Sequence, residues 1–103
     1  MTYAYIRDVP ADETIYRQIR AGLPTETPKG LSCHIVVKRP EGGLRYIDVW
    51  ETEADWDRFR DDRVEPVVKE VLGGHGIPHD HDATPFETMD VLESWVGASI
   101  PLG

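Results

Sequence analysis

An α+β fold with the element order β-α-β-β-α-β is what the sequence predicts, and three observations predict it. The first is the stretch from Leu44 to Val71. Ile47 and Val49 alternate with Tyr46, Asp48 and Trp50 at strand period, and the chain then passes straight into a helix. The second is the run Pro40-Glu41-Gly42-Gly43, a hairpin signal between two strand-like segments. The third is the stripe Ile15, Tyr16, Ile19 and Leu23, an amphipathic helix placed before that hairpin.

Taken in order, Tyr3 to Arg7 reads as a short first strand. Val9-Pro10-Ala11-Asp12 turns into the first helix, with Arg17, Gln18 and Arg20 facing out, and Gly22 and Pro24 end it. Thr25 to Gly30 is a polar loop. Leu31 to Arg39 is the second strand, rich in β-branched residues at Ile35, Val36 and Val37. The third strand follows the hairpin. Thr52 stands three residues before Asp55, a capping-box spacing that opens the second helix. Trp56, Phe59, Arg60, Val64, Val67, Val68 and Val71 then recur at helical spacing. Pro66 lies inside that pattern, so a kink or a break near Arg63 to Glu65 is expected. Gly73-Gly74 stops the helix, a loop runs from His75 to Pro85, Phe86 to Val96 is the last strand, and the rest is a surface tail. In one sheet with right-handed crossovers, this order is the ferredoxin-like plan.

A chain of 103 residues is expected to form one domain over residues 1–103. At this length about 65% of the unfolded surface is buried, which makes pairing with a second copy favourable. The formal charge is −8, from 19 acidic and 11 basic residues. That balance argues against nucleic acid and against anionic membrane surfaces, both of which recruit clustered Lys and Arg. The single cysteine, Cys33, excludes an internal disulfide. Its apolar strand favours a buried, inert thiol. No leader or membrane-length apolar run is legible, so a cytoplasmic protein is expected.

Two helices cover one face of a four-stranded sheet, yet the strands carry large apolar residues on both faces. Ile47 and Val49 point one way, Tyr46 and Trp50 the other. The face away from the helices is therefore expected to pack against a second copy, giving a homodimer.

Three segments together carry a family resemblance: Gly30-Leu31-Ser32-Cys33-His34-Ile35-Val36, Tyr46-Ile47-Asp48-Val49-Trp50-Glu51-Thr52-Glu53, and Trp56-Asp57-Arg58-Phe59-Arg60. They resemble the antibiotic-biosynthesis-monooxygenase-like branch of the dimeric α+β barrel superfamily. The resemblance implies a homodimeric α+β barrel with a ligand pocket between each sheet and its helices. Among its activities it implies cofactor-independent oxygenation of phenols or quinols. Haem degradation, another activity of the group, relies on an asparagine, a helical tryptophan and a later histidine. This sequence contains no asparagine, and the other two positions fall at Phe59 and near Lys69. No cofactor is therefore expected.

His34, Asp48 and Trp50 form the leading candidate site. A hairpin loop of odd length places residues 34, 36 and 38 on the same face as 46, 48 and 50, with His34 opposite Trp50 or diagonal to Asp48. A carboxylate that accepts from one imidazole nitrogen fixes the tautomer and leaves the other as a base. A loop of even length would separate the pair. The structural alternative is a His–Asp hydrogen bond that satisfies two buried polar groups. Tyr46, Trp50, Trp56 and Phe59 are the aromatics expected to line a pocket for an aromatic or hydrophobic small molecule, although the same residue types also build cores. The loop His75-Gly76-Ile77-Pro78-His79-Asp80-His81-Asp82 carries three histidines at spacing that fits no established metal site, and no metal is expected. Two functional readings lead: a cofactor-independent monooxygenase with His34 and Asp48 as catalytic residues, or a non-catalytic dimeric ligand-binding or accessory protein. A third, a metal-dependent enzyme using the His75 to His81 loop, requires a bound metal.

Overall fold

The structure is a computed structural model that describes residues 2–78 and 86–102. Strand β1 spans Tyr3–Val9, helix α1 Glu13–Ala21, β2 Leu31–Lys38, β3 Leu44–Trp50, α2 Glu53–Phe59, α3 Glu65–Gly74 and β4 Phe86–Met89. The four strands form one sheet in the order β2-β3-β1-β4, and every neighbouring pair is antiparallel. This is the ferredoxin-like α+β fold that the element order predicts.

Helices α1 and α2 each begin on a side-chain cap. The Asp12 carboxylate accepts from the Ile15 N–H at 2.9 Å, and Thr52 Oγ1 accepts from the Asp55 N–H at 3.1 Å. The Thr52 hydroxyl in turn donates to Asp55 Oδ2 at 3.0 Å. Helix α1 ends at Gly22, where a Cβ would lie 2.7 Å from Val67, so the missing side chain lets α1 close on α3. Pro66 has no N–H with which to continue an α-helical ladder. The chain answers with a π-helical turn over Arg60–Val64, in which the Glu65 N–H reaches back to the Arg60 carbonyl. The expected break at the proline is thus a change of helical register. It lets Phe59 and Val64, five residues apart, both pack on the core cluster of Tyr5, Trp50 and Trp56.

The hairpin loop between β2 and β3 is odd, running from 39 to 43, with Gly42 and Gly43 at φ 102° and 78°. The resulting register sets His34 directly opposite Asp48, rather than opposite Trp50 or diagonal to Asp48. A bulge between Leu31 and Cys33 restores Leu31 as the partner of Trp50. The last strand is shorter than expected. It ends at Met89, paired with Ala4, and beyond that only Tyr3 of β1 remains as a partner. Residues 90–102 form no strand, and Leu92, Trp95, Val96 and Ile100 are exposed. Cys33 is half-exposed rather than buried, because it sits on the sheet face that the helices leave uncovered. No helix among the described residues is long and apolar enough to cross a membrane.

Candidate functional site

Asp48 lies at mid-strand in β3, with Tyr5 of β1 on one side and His34 of β2 on the other. All three side chains point to the helix-covered face. Asp48 is 4% exposed and collects donors from both neighbours. Tyr5 donates its phenol to Asp48 Oδ2 at 2.8 Å, and the Trp50 indole N–H reaches the same oxygen at 3.4 Å. His34 Nδ1 meets Asp48 Oδ1 at 2.6 Å. A carboxylate at this distance holds the proton on Nδ1 and leaves Nε2 as the acceptor. That nitrogen is engaged as well: the Tyr16 hydroxyl, from α1, lies 3.0 Å away. The result is a continuous chain, Tyr5–Asp48–His34–Tyr16, running from the sealed core to the edge of α1.

The electrostatics follow from burial and from the carboxylate. Burial raises the Tyr5 phenol well above its ordinary value, and the adjacent Asp48 charge and hydrogen bond push the same way. Burial likewise raises Tyr46, with Tyr16 and Asp48 adding to the shift. Tyr16 is raised by burial too, against the lowering pull of Arg20. These phenols therefore stay protonated and serve as donors. Arg7, buried on β1 opposite Tyr46, places its guanidinium 5.5 Å from the Tyr5 ring centre and 4.9 Å from that of Phe86.

The residues expected at the site divide into two groups. His34, Asp48 and Tyr46 come together: the His34 and Tyr46 rings lie 5.9 Å apart and Tyr16 is 5.7 Å from Tyr46. Trp56 and Phe59 both pack tilted against Trp50 in the core, with ring centres at 5.5 and 5.8 Å from it. Trp50 is 1% exposed and reaches the dyad through its indole N–H. Tyr5, Tyr16 and Arg7 are the participants that sequence reasoning missed. Tyr5 was legible only as an aromatic of β1, and Tyr16 only as part of the α1 stripe. Two depressions lie nearby. One, of about 180 Å³, is bounded by Glu13, Tyr16, Val36, Lys38, Leu44 and Leu102. The other, of about 320 Å³, lies between the 24–29 loop and α2, against Phe59 and Arg58.

Among the described residues no cluster of His, Cys, Asp and Glu could hold a metal ion. His75 caps α3 and pairs with Gln18 Oε1 at 2.7 Å, while His79 and His81 lie outside the described residues.

No family model and no curated protein matches the chain. Solved structures do. An antibiotic biosynthesis monooxygenase superposes with a TM-score of 0.59 at 16% identity, over 90% of this chain and all of its own length. Rv0793 from Mycobacterium tuberculosis gives 0.57 at 14% identity, over 90% of this chain and 96% of its own. SnoaB from Streptomyces nogalater, a cofactor-independent oxygenase, gives 0.53 at 11% identity, over 90% and 93%. At these identities the likeness is one of fold. The chain has the ferredoxin-like fold of the antibiotic-biosynthesis-monooxygenase-like proteins.

Proposed function

We propose that this protein is a cofactor-independent monooxygenase that acts on an aromatic or hydrophobic compound bearing an acidic hydroxyl. One observation carries the reading. The imidazole of His34 is anchored through Nδ1 to a buried carboxylate at 2.6 Å, with its second nitrogen turned toward the Tyr16 hydroxyl of α1. Such a dyad is a general base. His34 Nε2 takes the hydroxyl proton, and Asp48 stabilises the imidazolium that results. The ligand anion is electron-rich enough to reduce dioxygen directly. For a phenol with a free ring position, one oxygen atom forms the new carbonyl and the other leaves as water with the two hydrogens lost. The substrate supplies all the electrons, so the balance needs no cofactor. The likeness in fold to SnoaB is consistent with that chemistry.

The active form in this reading is a homodimer. The face opposite the helices carries Ile6, Ile35, Val37, Ile47 and Val49, with Ile35 45% and Val37 40% exposed. A second sheet packed on it would cover that area.

A second reading, a non-catalytic ligand-binding dimer, is favoured by Tyr16, whose hydroxyl occupies the His34 nitrogen that a base must present. Oxygen consumption with a panel of fused-ring phenols in chelator-containing buffer separates the two. Turnover that falls at least ten-fold in His34→Ala supports the oxygenase. Binding without oxygen uptake supports the second reading.

A further inference from the structure

We propose that Tyr16 is a gate on the His34–Asp48 dyad, its hydroxyl holding the hydrogen-bonding position that an incoming ligand hydroxyl must take. The inference rests on the reading above and adds a moving part to it. An imidazole has two nitrogens, and both are engaged: Nδ1 by Asp48 at 2.6 Å and Nε2 by Tyr16 at 3.0 Å. A ligand can reach the base only by displacing Tyr16. The polar cost of the displacement is small, because a phenol that keeps its proton gives up one neutral hydrogen bond and no ion pair. Apolar walls beside the ring offset the contacts it leaves on His34 and Tyr46.

The surroundings of the ring provide for its movement. Tyr16 is half-buried on α1, stacked beside His34 and tilted against Tyr46. It also bounds the depression of about 180 Å³, and His34 does not. A cavity of about 150 Å³ accommodates benzene, so this space is large enough for a tyrosine ring. It is too small for most whole ligands, whose pockets begin at about 300 Å³. Val36, Leu44 and Leu102 offer apolar walls to the displaced ring, and the Glu13–Lys38 ion pair at 2.8 Å offers polar atoms to its hydroxyl. In the swung position the Tyr16 ring leaves the Tyr46 face and Nε2 together, so one rotation opens both the apolar wall and the base.

The test uses the full chain and 1-naphthol as the probe, with binding followed by fluorescence at pH 7. Tyr16→Phe keeps the ring and removes the hydroxyl. It is expected to tighten binding about five-fold, the size of one ordinary neutral hydrogen bond. Tyr16→Leu is the second variant if the phenylalanine ring perturbs packing, and it is expected to tighten binding likewise. The gain should vanish when His34→Ala is combined with Tyr16→Phe. Unchanged or weaker binding by Tyr16→Phe and Tyr16→Leu overturns the gate, as does a gain that survives the loss of His34. If His34→Ala alone weakens binding while removal of the Tyr16 hydroxyl brings no gain, the gate fails and the dyad reading stands. A probe bound by neither the native chain nor Tyr16→Phe overturns both.

Discussion

His34 and Asp48 face each other across the β2–β3 ladder, and their side chains close to 2.6 Å on the helix-covered side of the sheet. The two differ in exposure. The Asp48 side chain is 5% exposed and that of His34 34%. The carboxylate is therefore part of the core and the imidazole part of its margin.

That asymmetry predicts unequal responses to mutation. Asp48→Ala strands the Tyr5 hydroxyl and the Trp50 N–H in the core and should cost about 1–3 kcal/mol. His34→Ala should cost less than about 1 kcal/mol, because water can reach the group it leaves behind. Urea unfolding of the two variants measures the difference. Equal losses would mean that His34 is as integral to the core as Asp48.

A second contrast lies two residues along. Trp50 is enclosed by Trp56, Phe59 and Tyr5, so Trp50→Ala should cost about 3–5 kcal/mol through the cavity it leaves. Thr52→Ala removes one cap bond and should cost about 1 kcal/mol. Thermal or urea melts that rank Thr52 equal to Trp50 would contradict the packing.

Alkaline pH offers a test of the buried phenols. All four tyrosines, Tyr3, Tyr5, Tyr16 and Tyr46, are raised above the ordinary value of 10.0, with burial as the largest cause in each. A raised folded value means the associated stability is fully present below pH 10 and is lost as pH climbs past it, because the unfolded chain ionises first. Tyrosinate absorbance near pH 11 should therefore appear together with the loss of tryptophan packing, read by near-ultraviolet circular dichroism. Titration of Tyr5 and Tyr46 in a still-folded chain would contradict their burial.

The uncovered sheet face predicts the behaviour of the chain in solution. Light scattering at micromolar concentration should give twice the protomer mass. Ile35→Glu, which places a charge at the centre of that face, should shift the equilibrium to the monomer without loss of helix content. A native chain that scatters as a monomer removes the dimer from the proposed function.

Local chemistry in the sequence determined most of the elements. Strand alternation around Ile47 and Val49, the caps at Asp12 and Thr52, and the break at Pro66 all act within a few residues, so they are visible in the string itself. The shared face of His34 and Asp48 was legible only on the condition of an odd hairpin loop, since side-chain direction in a strand follows a period of two, and the 39–43 loop meets that condition. The end of β4 was not legible. Phe86 to Val96 has the composition of a strand, but a strand persists only where a neighbour supplies hydrogen bonds, and β1 runs out beside Met89. The rest of the site was decided by tertiary structure alone. Tyr5 lies 43 residues from Asp48, and Tyr16 lies 18 residues from His34. Tyr5 reaches the carboxylate because the sheet order sets β1 beside β3, and Tyr16 reaches the imidazole because the crossover lays α1 over β2. Neither pairing has a local signature, because a hydrogen bond across the fold constrains two positions and leaves no period between them.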